Sequence, residues 1–194
     1  MAETKRQTGA GQRPGPPVLI ERVAGIGMVT LRADLADPAT EAALKAAMGT
    51  VVPARRRILR SRRKGHLTAW MSPDELMLFM PRERLDRVTR SLEKALAEHH
   101  HLVADMSAAR AIFRLEGADG HLREILAKGV PADLSPEGLP RGEMRRTRLG
   151  AVAAGIWSLE EGVFHLMCFR SVAEHVDLWL RTAAHEGTEA DLWH

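Results

Sequence analysis

The sequence predicts an α+β protein in which helices pack on antiparallel or mixed sheets. Three observations carry that prediction. Short β-prone runs come in pairs joined by turn residues, the helical stretches are separated by such pairs, and those stretches are amphipathic at the helical period. A parallel doubly wound sheet would instead alternate single strands with helices.

Residues 1–17 (MAETKRQTGAGQRPGPP) offer little to bury and are expected as a disordered arm. Val18 to Val23 and Met28 to Arg32, around Gly25 and Gly27, suggest a hairpin-like pair. Asp37-Pro38 opens an Ala-rich helix, DPATEAALKAAM, and Gly49 closes it, because proline suits the first helical turn and glycine the left-handed terminus. His66 to Met71 and Leu76 to Met80 form two strands joined by Ser72, Pro73 and Asp74, where proline presets φ. After Pro81 a longer helix places Leu85, Val88, Leu92, Ala95 and Leu96 on one side and charged residues on the other. It stops at His99-His100-His101.

Leu102 to Met106 and Ala109 to Glu116 are strands around a Ser107-Ala108 turn. Gly117 opens a helix whose buried stripe is Leu122, Ile125 and Leu126, with Gly129 as a left-handed cap before Pro131. A loop through Pro136, Gly138, Pro140 and Gly142 leads to three strands, Met144 to Leu149, Ala151 to Leu159 and Val163 to Phe169, the last two joined by Glu160, Glu161 and Gly162. Ser171 and Glu174 have capping-box spacing before an apolar stripe of Val172, Val176, Trp179 and Ala183, and Gly187 is the expected stop. The expected organisation is an N-terminal α+β subdomain over 18–101 and a C-terminal one over 102–194, free to share one core.

At 194 residues and 45% apolar composition, the chain is long enough to bury a sizeable core. Its one cysteine, Cys168, excludes an intrachain disulfide and leaves too few thiols for a zinc-thiolate cage. No secretory signal is visible, and the longest uncharged run, 149–159, is too short to span a bilayer, so the expectation is a soluble cytoplasmic protein without membrane contact. The net charge of +3 is uneven: residues 1–65 carry 13 Lys/Arg against 5 Asp/Glu, leaving the rest acidic.

The strongest electrostatic feature is the run Arg55, Arg56, Arg57, Arg60, Arg62, Arg63 and Lys64. A solvated basic loop, a surface for an acidic protein partner and a nucleic-acid contact are all compatible with it, although the stacking aromatics expected of an RNA-binding face are missing. Leu192-Trp193, an apolar pair in a polar tail, either docks on its own domain or anchors a partner. The arginines and this pair form the candidate partner interface.

No catalytic, cofactor or metal site is expected. Consecutive residues such as His99, His100 and His101 cannot all face one ion, and histidine also suits a helix C-terminus. Asp105 and Ser107 have the character of turn-closing residues, His165 of a hydrogen-bonded strand residue and Cys168 of a packed thiol. Met71, Met77, Met80, Phe79 and Trp70 form either core or an adaptable binding surface. There is no Walker sequence, and Gly25-Ile26-Gly27 lacks the rest of a dinucleotide fingerprint.

Four segments together resemble the gamma subunit family of heterotetrameric sarcosine oxidase: HLTAWMSPDELMLF at 66–79, LVADMSAARAIFRLEG at 102–117, LAKGVPADLSP at 126–136 and FRSVAEHVDLWL at 169–180. The first is similar to the family's strand-turn-strand passage through Trp70, Pro73, Asp74 and Glu75, the second to its Asp-x-Ser-x-x-Arg passage through Asp105, Ser107 and Arg110. The third matches at Lys128, Gly129, Asp133 and Leu134, with Val130 where a cysteine is common. The resemblance implies the fold of aminomethyltransferase and folate-binding proteins and an accessory role in an oxidase that demethylates sarcosine to glycine with hydrogen peroxide formation and one-carbon transfer to tetrahydrofolate. It implies alpha, beta and delta subunits as partners, with FAD, FMN, NAD, tetrahydrofolate and zinc held by them. A stand-alone folate-binding or aminomethyl-transfer protein and a basic nucleic-acid-binding module are the competing readings.

Overall fold

The central strands are apolar on both faces, and that dictates layers on either side of them. The computed structural model describes residues 17–185, so Gly187, Leu192, Trp193 and all but the last residue of the predicted arm lie outside the described residues. In chain order it contains β1 (Leu19–Arg22), β2 (Ile26–Ala33), α1 (Pro38–Met48), β3 (Ile58–Arg60), β4 (Leu67–Ser72), β5 (Glu75–Pro81), α2 (Leu85–Ala95), β6 (His101–Asp105), β7 (Arg110–Glu116), α3 (Asp119–Ala127), β8 (Met144–Leu149), β9 (Val152–Glu160), β10 (Val163–Phe169) and α4 (Ala173–Ala183). Short 3-10 turns, Arg82–Arg84 and Arg170–Val172, lead into α2 and α4. The predicted α+β class is the one observed: two five-stranded sheets, β3-β4-β5-β2-β6 and β1-β7-β10-β9-β8, all of whose strand pairs are antiparallel.

The alternation along β5 shows how the layers arise. Leu76, Leu78 and Met80 pack with Val29 and Leu31 against Leu44 and Met48 of α1 and Leu85, Val88 and Leu92 of α2. Met77 and Phe79 point the other way, into a central core shared with Ile112, Met144, Trp157 and Met167 of the second sheet. That sheet buries its far face, including Phe113, Phe164 and Leu166, under α3 and α4. The molecule is therefore helices, sheet, sheet, helices, with methionines prominent between the sheets.

The two halves repeat one plan. β2-α1-β3-β4-β5-α2-β6 is followed by β7-α3-β8-β9-β10-α4, the sheet orders correspond strand for strand, and β1 occupies in the second sheet the place β6 takes in the first. This corrects the expected hairpin of 18–23 with 28–32: β1 pairs with β7, Leu19 opposite Glu116, because β2 has both flanks taken by β5 and β6. The Ser107-Ala108 turn is likewise not a hairpin but a crossover, since β6 lies in one sheet and β7 in the other.

Other expectations fare unevenly. α1 starts and stops as predicted, with Asp37 Oδ1 accepting from the Ala39 amide at 2.8 Å and Gly49 at φ 72°. The β4-β5 and β9-β10 hairpins form on the predicted turns. Gly129 is not a left-handed cap; a Cβ there would lie 2.5 Å from Trp179 Cζ2, so the glycine admits the indole. The Ser171-Glu174 capping box does not form, and Glu174 instead meets Arg22 of β1 at 3.0 Å. Ala95 is exposed rather than part of the buried stripe, and β3 was hidden inside the arginine run, where only Ile58 is fully buried.

Candidate functional site

Three places gather the polar chemistry of the described residues: the paired crossovers, the arginine segment and a cleft at one end of the central core. At the crossovers, residues 23–25 and 106–109 pass side by side and tie the halves together. The Met28 amide donates to Ser107 Oγ at 2.9 Å, the Met106 amide to the Met28 carbonyl at 2.8 Å and the Val23 amide to the Ile112 carbonyl at 2.8 Å. Asp105 accepts from the Ser107 amide and hydroxyl and faces Arg82 at 3.4 Å. Burial alone would raise its pKa, but those Ser107 and Arg82 contacts outweigh it and hold the carboxyl below its usual value. Arg170 donates to the carbonyls of Ser107, Ala108 and Arg110. The predicted turn-closing pair thus acts as a latch between two sheets.

The arginine segment is a joint rather than a free loop. Arg56, at φ 65°, pairs with Glu143 and donates to the Gly138 carbonyl. Around it the backbone bridges both sheets, with the Ile58 amide bonded to the Gly142 carbonyl and the Met144 amide to the Arg56 carbonyl. The Arg57 side chain passes over Gly142. Arg60 faces Glu160 at 3.5 Å. Arg63 donates to the Ala46 and Ala47 carbonyls while Ser61 Oγ donates to Met48, so these two satisfy the C-terminal carbonyls of α1. Arg55 and Arg62 are exposed.

The cleft, about 700 Å³, is lined by the β4-β5 hairpin on one side and by β8, β9 and the ends of β7 and β10 on the other. Arg55 and Arg56 reach it from the first half; Arg110, Arg145 and Arg146 reach it from the second. Trp70, Met71, Met144, Met167 and Phe169 supply apolar wall, and Glu75 is the carboxylate among the lining residues. Arg110 lies over the Phe169 ring with its guanidinium carbon 3.7 Å from the centroid. Burial, then the Arg146 charge, lowers its pKa, against an opposing effect of Glu75. Arg146 donates to the Met71 carbonyl at 2.8 Å, and Arg145 donates to Gly138. Sequence reasoning missed Arg110, Arg145 and Arg146 as a group; the charged alternation MRRTRL of β8 was the available signal.

The histidines and the thiol go to structure. His99 meets Asp37 at the start of α1 at 2.9 Å, and His101 turns to Glu93 at 3.0 Å. The His99 carbonyl, then Glu93, raises the His101 pKa. His165 stacks on Trp157, with centroids 5.2 Å apart and rings 7° from parallel; burial first, then Arg114, lowers its pKa to about 4. Cys168 is fully buried and burial pushes its thiol up. Val130 is buried in the core under α3 and α4. Among the described residues no group of three or more His, Cys, Asp or Glu is placed to hold a metal, and no helix is long and apolar enough to cross a membrane. A further missed residue, Arg123, is buried to 3% exposure; it pairs with Asp119 at 2.7 Å and donates to the carbonyls of Leu134, Ser135 and Leu139, which fixes the loop after α3.

Comparison with known proteins follows the same scaffold. Residues 32–186 match the sequence profile of the "Sarcosine oxidase, gamma subunit family". The sarcosine oxidase subunit gamma of Corynebacterium sp. (strain U-96) is 30% identical over 183 residues, covering 94% of this chain and 85% of that protein. The Arthrobacter sp. subunit gamma is 28% identical over 169 residues, covering 87% and 81%. In structure, a chain of heterotetrameric sarcosine oxidase from Corynebacterium sp. U-96, solved with pyrrole 2-carboxylate, superposes with TM-score 0.79 at 29% identity over 95% of this chain and 90% of that one. The glycine cleavage system aminomethyltransferase T of Bartonella henselae superposes with TM-score 0.62 at 14% identity, covering 84% of this chain and 45% of that one, a likeness of fold.

Proposed function

Because this chain belongs to the sarcosine oxidase gamma subunit family, we propose that it is a noncatalytic subunit of a cytoplasmic heterotetrameric oxidase that converts sarcosine to glycine. In that reaction the N-methyl group is oxidised, oxygen is reduced to hydrogen peroxide and the one-carbon unit passes to tetrahydrofolate. The alpha, beta and delta subunits are its partners on this reading, and FAD, FMN, NAD, tetrahydrofolate and zinc reside with them. The observation that carries the reading is the match along nearly the whole chain to a subunit of a heterotetrameric oxidase.

The use of the polar residues supports it. Asp105 and Ser107 are engaged in the crossover latch, His165 is stacked in the core and Cys168 is sealed within it. These four candidates for base or nucleophile each have a structural role.

The test is co-expression with the neighbouring oxidase subunits, with and without this chain, followed by size-exclusion chromatography and an assay of sarcosine-dependent peroxide release. The expected result is co-elution and a less stable, less active assembly in its absence. Full assembly and activity without the chain would overturn the proposal. A folate-binding protein acting alone has only likeness of fold behind it, and calorimetry with tetrahydrofolate separates the two readings.

A further inference from the structure

Five arginines surround one cleft that contains a single carboxylate among its lining residues, and three of the five are incompletely satisfied. The Nε atoms of Arg56, Arg110 and Arg145 are buried without a hydrogen-bond acceptor, half of the buried side-chain polar atoms left unpartnered among the described residues. Arg145 and Arg146 are anchored through neutral backbone carbonyls, which fix their position without cancelling their charge. Of the nearby carboxylates, Glu143 is paired with Arg56, and Glu75 is shared with Arg32 at 3.9 Å. Like charges held together in a partly desolvated site repel, and a guanidinium presents a planar fork of donors that fits a carboxylate's two oxygens.

The rest of the lining specifies what that carboxylate is attached to. Met71, Met144 and Met167 offer polarisable, adaptable side chains, and Trp70 and Phe169 flank them at the rim. A bare inorganic anion would leave this surface uncovered. The volume, about 700 Å³, lies within the roughly 300–1,000 Å³ typical of ligand pockets. We propose that the cleft is a binding site for a carboxylate carried on an apolar body, with Arg110 and Arg146 as its principal charge partners. The carboxylate is either a free organic acid or an acidic side chain of another subunit. The proposal does not depend on the chain's place in an oxidase, since its first test uses the chain alone.

The probe is 4-phenylbutyrate, titrated into the full chain carrying 13C-labelled methionine methyls. The Met144 and Met167 methyl resonances are expected to shift saturably. Its neutral isostere, 4-phenylbutanamide, is expected to bind at least tenfold more weakly, as is 4-phenylbutyrate to Arg110→Gln and Arg146→Gln, each checked for folding by its amide spectrum. Arg84→Gln, an exposed arginine elsewhere, is expected to leave the titration unchanged. Absence of saturable shifts, equal binding of the amide, or unchanged binding by both folded cleft variants would overturn the proposal and leave the subunit assignment standing.

Repeating the titration in the assembled oxidase assigns the source. Shifts that persist identify a free acid. Their loss, together with weaker assembly of Arg110→Gln, identifies a partner's carboxylate. Loss of the shifts with unimpaired assembly of Arg110→Gln would overturn the site's role.

Discussion

The two hairpins that close the central core follow the same plan with opposite contents. Trp157 on β9 stands opposite His165, and Ala69 on β4 stands opposite Met77, at corresponding positions of corresponding strands. Both hairpins shift register near their turns. At the β9-β10 end an indole fills the space between the sheets, packed on Phe79 and His165 with ring centroids 5.4 and 5.2 Å away. At the β4-β5 end the corresponding residue is Ala69, fully buried in the same central core, and the arginine-lined cleft lies beside this hairpin. One repeated scaffold therefore supplies a closed end that contributes packing and an open end that offers a cavity.

Trp157→Ala should be the most damaging change, costing about 3–5 kcal/mol as a sealed cavity replaces the ring, measured as a lowered midpoint in urea. Met71→Ala at the open end tests the contrast directly. Because its space merges with the cleft, it should cost about 1–2 kcal/mol, at or below the low end for a sealed methionine site; an equal loss in the two variants would show that the cleft is not solvent-accessible.

The closed end should also impose a pH dependence through His165. His165 titrates at about 4 in the folded protein, against about 6.5 when unfolded. The unfolded chain therefore takes up its proton first as pH falls, and stability present above the unfolded pKa is lost, by about 2 kcal/mol between pH 7 and pH 5. His101, whose pKa is raised, works in the opposite direction: its stabilisation is full at low pH and fades as pH rises. The difference between wild type and His165→Phe isolates the first effect, and parallel pH profiles for the two would exclude it. The smallest effect is expected from Gly155→Ala. Its new Cβ would meet Met144 Cε at 2.6 Å, but that methyl can swing into the cleft, so the cost should stay below about 1 kcal/mol. Gly129→Ala, pressed against the rigid Trp179 ring, should cost about 1–3 kcal/mol. Thermal melts of the pair decide whether the open end is as yielding as the cleft implies.

Much of the fold was legible where local chemistry decides it. Asp37-Pro38 and Gly49 mark α1, and Ser72-Pro73-Asp74 marks the β4-β5 turn, because caps and turns are settled within a few residues. Strand partners were not legible for β1 and β6. Both are short edge strands with little buried surface, so nothing in their own pattern reveals which sheet claims them, and Val18 to Val23 looked like a partner for its neighbour in sequence. The arginine run was legible as a charge feature, but its structural use was not: Arg63 as a helix cap and Arg56 as a bridge to Glu143 depend on residues far away in the chain. The cleft escaped entirely because its arginines come from residues 55–56, 110 and 145–146, and only the packing of the two sheets brings them together.

The exchange of β1 sets an order of events during synthesis. The first sheet is complete once Asp105 has emerged, since all five of its strands lie between Ile26 and that residue. β1 is made earliest yet pairs with residues about ninety positions downstream, from Phe113 to Glu116. It must remain unpaired while the first repeat folds beside it, and contacts of such long range form late and slowly. Among the described strands the first to be made is thus among the last able to pair, and its docking ties the start of the first repeat to the second sheet.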